Sequence, residues 1–135
     1  MVLWEWKDEY ELKIDKLDEH HKKFLDVINL LIKITENRSC EEEISLIFFR
    51  LVYYVENYFV DEEIYLKEYN SANLKQHKEE HNKFIKEIVK FQKEYQDNDK
   101  TVCLRLLKYL QNWFKVHILD YDREAVKLIL DESNK

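Results

Sequence analysis

His77-Lys78-Glu79-Glu80-His81 places two histidines four residues apart, on one face of a helix, where both imidazoles reach toward a single metal ion. Leu74, His77, His81, Phe84, Ile88, Phe91 and Tyr95 follow one another at alternating spacings of three and four. That is the stripe of an amphipathic helix, so both histidines point toward a core. A single core histidine is more often a hydrogen-bonded structural residue than a ligand. Two on one buried face need partners, because a buried polar group without one is costly.

The composition around this stretch favours helices throughout. The 135 residues suit one domain with a proper core, and glycine and proline are both absent. Without them hairpin turns and loop punctuation are poorly served, whereas helices joined by Asn, Asp and Ser turns are well served. Hydrophobic residues make up 45% and charged residues 37%, with no apolar run long enough to span a bilayer. Charged residues interrupt the N-terminal stretch, so no signal peptide is expected. A net charge of −6 argues against nucleic acid as a partner. Two cysteines, Cys40 and Cys103, are too few for a disulfide framework and fit a reducing cytoplasm.

Residues 1–16 lack a helical stripe but carry Trp4, Trp6 and Tyr10, which predicts an arm of strand or turn character packing its aromatics on the rest. A first helix is predicted over Leu17–Glu36, with Leu17, His21, Phe24, Leu25, Ile28, Leu31 and Ile32 on one face. A second runs over Glu41–Tyr69 with the stripe Ile44, Phe48, Leu51, Val55, Tyr58, Glu62 and Tyr65 or Leu66. Its three opening glutamates suit the positive end of a helix dipole. Asn70 and Ser71 separate it from the third helix, which ends near Tyr95; the fourth covers Thr101–Leu119, with Val102, Leu106, Tyr109 or Leu110, Trp113 and His117 inward. A short helix over Arg123–Asp131 closes the chain. The expectation is an all-α, antiparallel up-down four-helix bundle, one domain over 1–135: arm 1–16, bundle 17–119 and C-terminal segment 120–135. Cys40 and Cys103 then fall at one end on diagonal helices, so no internal disulfide is expected and both read as small hydrophobes.

The polar residues on or just beyond these stripes are His21, Tyr58, Glu62, His77, His81, His117 and Asp122. His21 and His77 lie early in the first and third helices, while Tyr58, Glu62 and His117 lie late in the second and fourth. In an up-down bundle all of these positions are at the same end. Each residue alone has a plainer reading: Tyr58 as packing, Glu62 reaching water at a helix end, Asp122 as a cap. Their convergence favours a site. His77, His81 and His117 suit one ion and His21 with Tyr58 a second, while Glu62 and Asp122 are placed to bridge them. Mixed imidazole and carboxylate donors with open positions suit iron or manganese rather than a closed zinc site.

These residues resemble the hemerythrin family, in particular its single-domain bacterial members, from Trp4 to about Asp122. Leu17-Asp18-Glu19-His20-His21-Lys22 is similar to the family's first motif, in which an aspartate precedes the ligand histidine by three. His77 to Phe84 matches H-x-x-x-H-x-x-F, and Trp113 to Asp122 matches W-x-x-x-H-I-x-x-x-D. The resemblance implies a carboxylate-bridged non-heme di-iron centre that binds dioxygen: two iron ions, oxo- or hydroxo-bridged when oxidised. It assigns His77, His81 and His117 to one iron, His21 to the other, and Glu62 and Asp122 to the bridges. Phe24, Phe59, Phe84 and Trp113 are expected around the centre.

The second motif departs from the family. H-F-x-x-E-E is replaced by Tyr58-Phe59-Val60-Asp61-Glu62-Glu63, so Tyr58 stands where a ligand histidine of the dioxygen-binding iron belongs. A phenolate there would favour ferric iron and ease autoxidation. The alternative is a hydrogen bond from Tyr58 at the site without ligation. His20, about 100° around the helix from His21, is expected at the surface or behind the ligands. Glu11, Leu12 and Lys13 stand where family members often have glycine, which leaves the arm's conformation open.

The function implied is dioxygen binding for storage, delivery or sensing. The alternative is a di-iron redox protein or enzyme consuming peroxide, nitric oxide or dioxygen with a redox partner protein. A metal-free interaction module is a third reading, disfavoured by the converging polar groups. With no further domain expected after residue 135, a sensor would act through a partner.

Overall fold

In a chain without glycine or proline, helices run until a turn residue or a change of hydrogen-bonding register interrupts them. The fold is taken from a computed structural model that describes residues 3–12, 14–68, 74–122 and 127, with side chains described as far as Ile118 and at Lys127. Helix α1 covers Asp15–Glu36 and α2 covers Cys40–Tyr54. A π-helical turn at Val55–Phe59 joins α2 without a break to α3, Val60–Glu68. Helix α4 spans Leu74–Gln96, and α5, Val102–Trp113, continues into a π-helical segment, Phe114–Asp122. These pieces form the four rods of an all-α bundle, with no strand among the described residues. The rod of α1 packs against both α2 and α5, and α4 packs against α3 and α5. The turn predicted at Asn70–Ser71 lies outside the described residues, as does the final helix apart from Lys127.

Two helix ends need a left-handed residue, and this chain supplies it without glycine. Arg38 (φ 54°) follows α1 and Asn98 (φ 63°) follows α4. Behind each, a backbone N–H returns to a carbonyl five residues earlier, Ser39 to Ile34 and Asp99 to Glu94, closing the helix end.

Two side chains of α1 pin the arm. Asn29 accepts from the Trp4 amide at 2.8 Å and donates to the Trp4 carbonyl at 2.7 Å, pairing with it as a neighbouring strand would. Buried Asp18 accepts from the Leu12 amide at 2.8 Å. Between these anchors the arm makes a single 3-10 turn, Asp8–Tyr10. Its aromatics pack on the bundle, Trp4 and Tyr10 meeting Phe114 edge-on at centroid distances of 5.8 Å and 5.3 Å.

The core divides along the bundle. Ile28, Leu31, Ile32, Ile44, Ile47, Leu106 and Leu110 fill one part, and the buried polar residues His21, Glu62, His77, His81 and His117 gather in the other. The predicted stripe of the second rod is re-phased halfway. Buried positions run Leu51, Tyr54, Phe59, Glu62 and Leu66, whereas Val55 and Tyr58 are only half-buried. The step of five from Tyr54 to Phe59 is the repeat of the π turn, which α-helical periodicity does not anticipate.

The expectation of two separate cysteines is corrected. Cys40 and Cys103 form a disulfide, with Cα atoms 6.3 Å apart. Bundle helices cross at roughly 20°, so a diagonal pair holds no constant separation, and the first turns of α2 and α5 come within bridging range.

Candidate metal centre

Each rod brings its donors to the same end for a local reason. His77 and His81 sit one turn apart on α4, in phase with Phe84 and Ile88, and are 0% and 2% exposed. Glu62 follows the π turn by one α-helical turn and is 6% exposed. His117 lies within the second π-helical segment at 3% exposure, and His21 on α1 at 1%. In π-helical backbone, residues five apart lie closer around the axis than in an α-helix, which brings the chain positions of His117 and Asp122 nearer to one face. For Asp122 only the backbone is described.

The described donors converge. One ligand atom each from Glu62, His77 and His117 lies within 4.8 Å of the others, and all three residues are buried. Glu62 Oε1 lies 3.3 Å from His77 Nε2 and 3.7 Å from His81 Nε2. The His81 ring is 5.2 Å from that of His117, which is 5.3 Å from that of His77. A carboxylate from one rod facing three imidazoles from two others fits one iron, and its other oxygen would be free for a second.

Aromatic rings hold this cluster. Phe59 stacks on His81 at 3.8 Å and Trp113 on His117 at 4.2 Å, both nearly parallel. Phe84 closes the space between them, 5.4 Å from Phe59 and 4.7 Å from Trp113, and Phe24 stands behind Phe84 at 6.0 Å. Such a collar holds the imidazoles in place and keeps water from the metal side of the bundle.

Tyr58 lies elsewhere on its rod. Its ring stacks on His20 at 4.3 Å and faces a groove between α1 and α2. Burial raises the Tyr58 phenol above its ordinary value, with Tyr53 and Asp61 adding to the shift. His20 is 8% exposed, not a surface residue, and its Nε2 lies 3.7 Å from Asp61 Oδ2. Burial lowers the His20 imidazole against the opposing pull of Asp61.

Two supporting groups escaped the sequence reading. Glu63 places Oε2 3.9 Å from His81 Nδ1, on the side of the ring away from Glu62. A carboxylate behind a ligand imidazole sets its tautomer and basicity. Asp18 belongs to the first motif, yet its carboxylate holds the arm. The Glu62-Glu63 doublet is the visible signal for the first group; the second stands in the first motif, but nothing in the sequence ties it to the arm, because its partner is a backbone amide.

A four-helix bundle with imidazoles and a carboxylate converging inside one end defines a helical metal-binding protein. Residues 12–129 match the family described as the hemerythrin HHE cation binding domain, and the chain belongs to the hemerythrin family. It is 35% identical to a bacteriohemerythrin of Clostridium acetobutylicum over 125 residues, 90% of this chain and 97% of that protein. A bacteriohemerythrin of Methylococcus capsulatus is 28% identical, covering 91% of this chain and 94% of its own length. A myohemerythrin of Theromyzon tessulatum is 28% identical over 85 residues, 63% of this chain and 65% of that protein. Proteins of this family bind a di-iron centre, so the cofactor is two iron ions. Among the described residues no helix is long and apolar enough to cross a membrane.

Proposed function

We propose that this chain is a dioxygen-binding non-heme di-iron protein serving storage, delivery or sensing. The observation that carries the reading is the convergence of Glu62, His77 and His117 within 4.8 Å, buried behind an aromatic collar. In this reading His77, His81 and His117 would hold one iron and His21 the other, with Glu62 and Asp122 as the carboxylates shared between them. The irons supply the redox chemistry and the small-ligand site. The protein's part is to fix the imidazoles by stacking and to keep bulk water out, while Glu63 steadies His81. The names of the relatives support dioxygen as the ligand.

Tyr58 supports a second reading. With its ring against His20, it takes the place of an imidazole donor without adding another, which makes the His21 position the poorer of the two. A centre so unbalanced suits a redox protein acting on peroxide, nitric oxide or dioxygen, with electrons from a redox partner protein. Anaerobic, fully reduced protein with two irons separates the readings. Uptake of one dioxygen per chain, released under vacuum, supports binding; steady consumption with a supplied reductant supports the redox reading. Protein holding no iron after expression in excess iron would sink both. A phenolate-to-iron absorption that disappears in Tyr58→Phe would show that Tyr58 turns inward in the loaded protein.

A further inference from the structure

The rings around the imidazoles are not chemically alike. Phe59 and Phe84 are hydrocarbon rings that resist loss of an electron, whereas the indole of Trp113 gives one up far more readily. Trp113 also lies against a donor on one side and near solvent on the other. Its ring stacks on that of His117 at 4.2 Å, 12° from parallel. It is 7% exposed and, with His117, Tyr109 and Val116, lines a groove of about 550 Å³ between α4 and α5. Glu80 and Lys83, paired at 3.4 Å, stand on the α4 wall of that groove.

Two features suit this indole to passing charge. Its Nε1–H is buried and finds no acceptor among the described residues, so stacking and packing orient the ring. An oxidised indole with no base at its nitrogen keeps its proton, and the electron moves alone. Tyr109, the next oxidisable ring on this groove, is held back. Burial, with Glu87 and Glu80 adding to it, raises its phenol well above the ordinary value. A phenol yields an electron easily only when its proton can leave as well.

We propose that Trp113 is an electron relay between the metal centre and a reductant in the α4–α5 groove, and that it spares the donor imidazoles when peroxide reaches the centre. The proposal rests on the di-iron redox reading above. Peroxide takes up two electrons and two protons to give two waters. When the centre supplies one electron, the indole of Trp113 supplies the other through the stacked His117 ring, and solvent supplies the protons. The indole is left as a radical cation. A one-electron reductant such as ascorbate, entering the groove, returns the electron and leaves the ring unchanged. Without the indole, the missing electron is taken from the donor imidazoles, and the metal is lost with them.

The test uses the full chain loaded with iron, its metal content measured first, then mixed with excess peroxide and freeze-quenched. Electron paramagnetic resonance should show an organic radical with indole couplings. It should be absent from Trp113→Phe, replaced by a tyrosyl signal in Trp113→Tyr and unchanged in Tyr109→Phe. After longer exposure, peptide mass spectrometry should find oxygen added to Trp113 roughly tenfold more than to Trp4 or Trp6, and ascorbate should prevent it. At equal starting iron, Trp113→Phe should lose metal faster than the wild type over repeated peroxide additions, with ascorbate present. An iron-loaded chain that gives no indole radical, or one that persists in Trp113→Phe, overturns the relay and leaves the di-iron reading standing. Oxygen spread equally over Phe59, His117 and Trp113, with or without ascorbate, marks a diffusing oxidant and overturns it too. A chain that binds no iron overturns both.

Discussion

The ring of Phe59 lies 3.8 Å from the ring of His81 and within 9° of parallel. Phe59 is 3% exposed and also touches Phe84 and Trp113, so it joins a metal donor to the packed core. Truncation would open a cavity and free the imidazole. Phe59→Ala should cost about 3–5 kcal/mol in urea unfolding of the metal-free protein, and Phe59→Leu clearly less. A loss below about 1 kcal/mol would mean that the stack does not hold.

Glu63 faces the far nitrogen of His81 at 3.9 Å. Glu63→Gln preserves the shape and removes the charge, so the His81 imidazole becomes less basic and less well oriented. Iron affinity should fall by roughly 10–100-fold, the usual effect of losing a partner behind a ligand. Competition with a chelator measures it, and Glu79→Gln, at an exposed position on α4, provides the control.

The Cys40–Cys103 bridge joins residues 63 apart in sequence. On the chain-entropy account, a loop of that length stabilises the fold by up to about 4 kcal/mol. Cys40→Ser, or reduction of the wild type, should lower the melting temperature by similar amounts, and reduction should not affect the variant further. Detection of two free thiols in unreduced, denatured protein would show that the bond is not made.

Asp99 organises the turn before α5. It accepts from the Thr101 amide at 2.8 Å, the Thr101 hydroxyl at 2.6 Å and Arg105 at 2.9 Å. The Thr101 bonds, foremost that from its hydroxyl, hold the Asp99 carboxyl below its ordinary value. A carboxylate with a depressed folded value stabilises above its unfolded value and loses that contribution as pH falls through the folded one. Asp99→Asn should therefore melt below the wild type at pH 7, and the two should converge below roughly pH 4. Melting curves across that range decide it; a difference that survives acid would assign the effect to shape rather than charge.

Much of this protein was legible in its residues because the information is local. The spacing of His77, His81 and Phe84 fixes a helical face, and alternation of helix direction fixes the height of each donor. Hence the four rods and the gathering of Glu62, His77 and His117 at one end followed without coordinates. What escaped depends on neighbours distant in sequence. Whether a rod takes a π turn depends on how other rods receive its side chains, and that turn gave the core position to Phe59 while Tyr58 went to His20. The Cys40–Cys103 bond depends on how α2 and α5 cross, and the anchoring of the arm by Asn29 and Asp18 on backbone groups that carry no sequence signal. Periodicity identifies which faces are buried; only packing decides which atoms meet there.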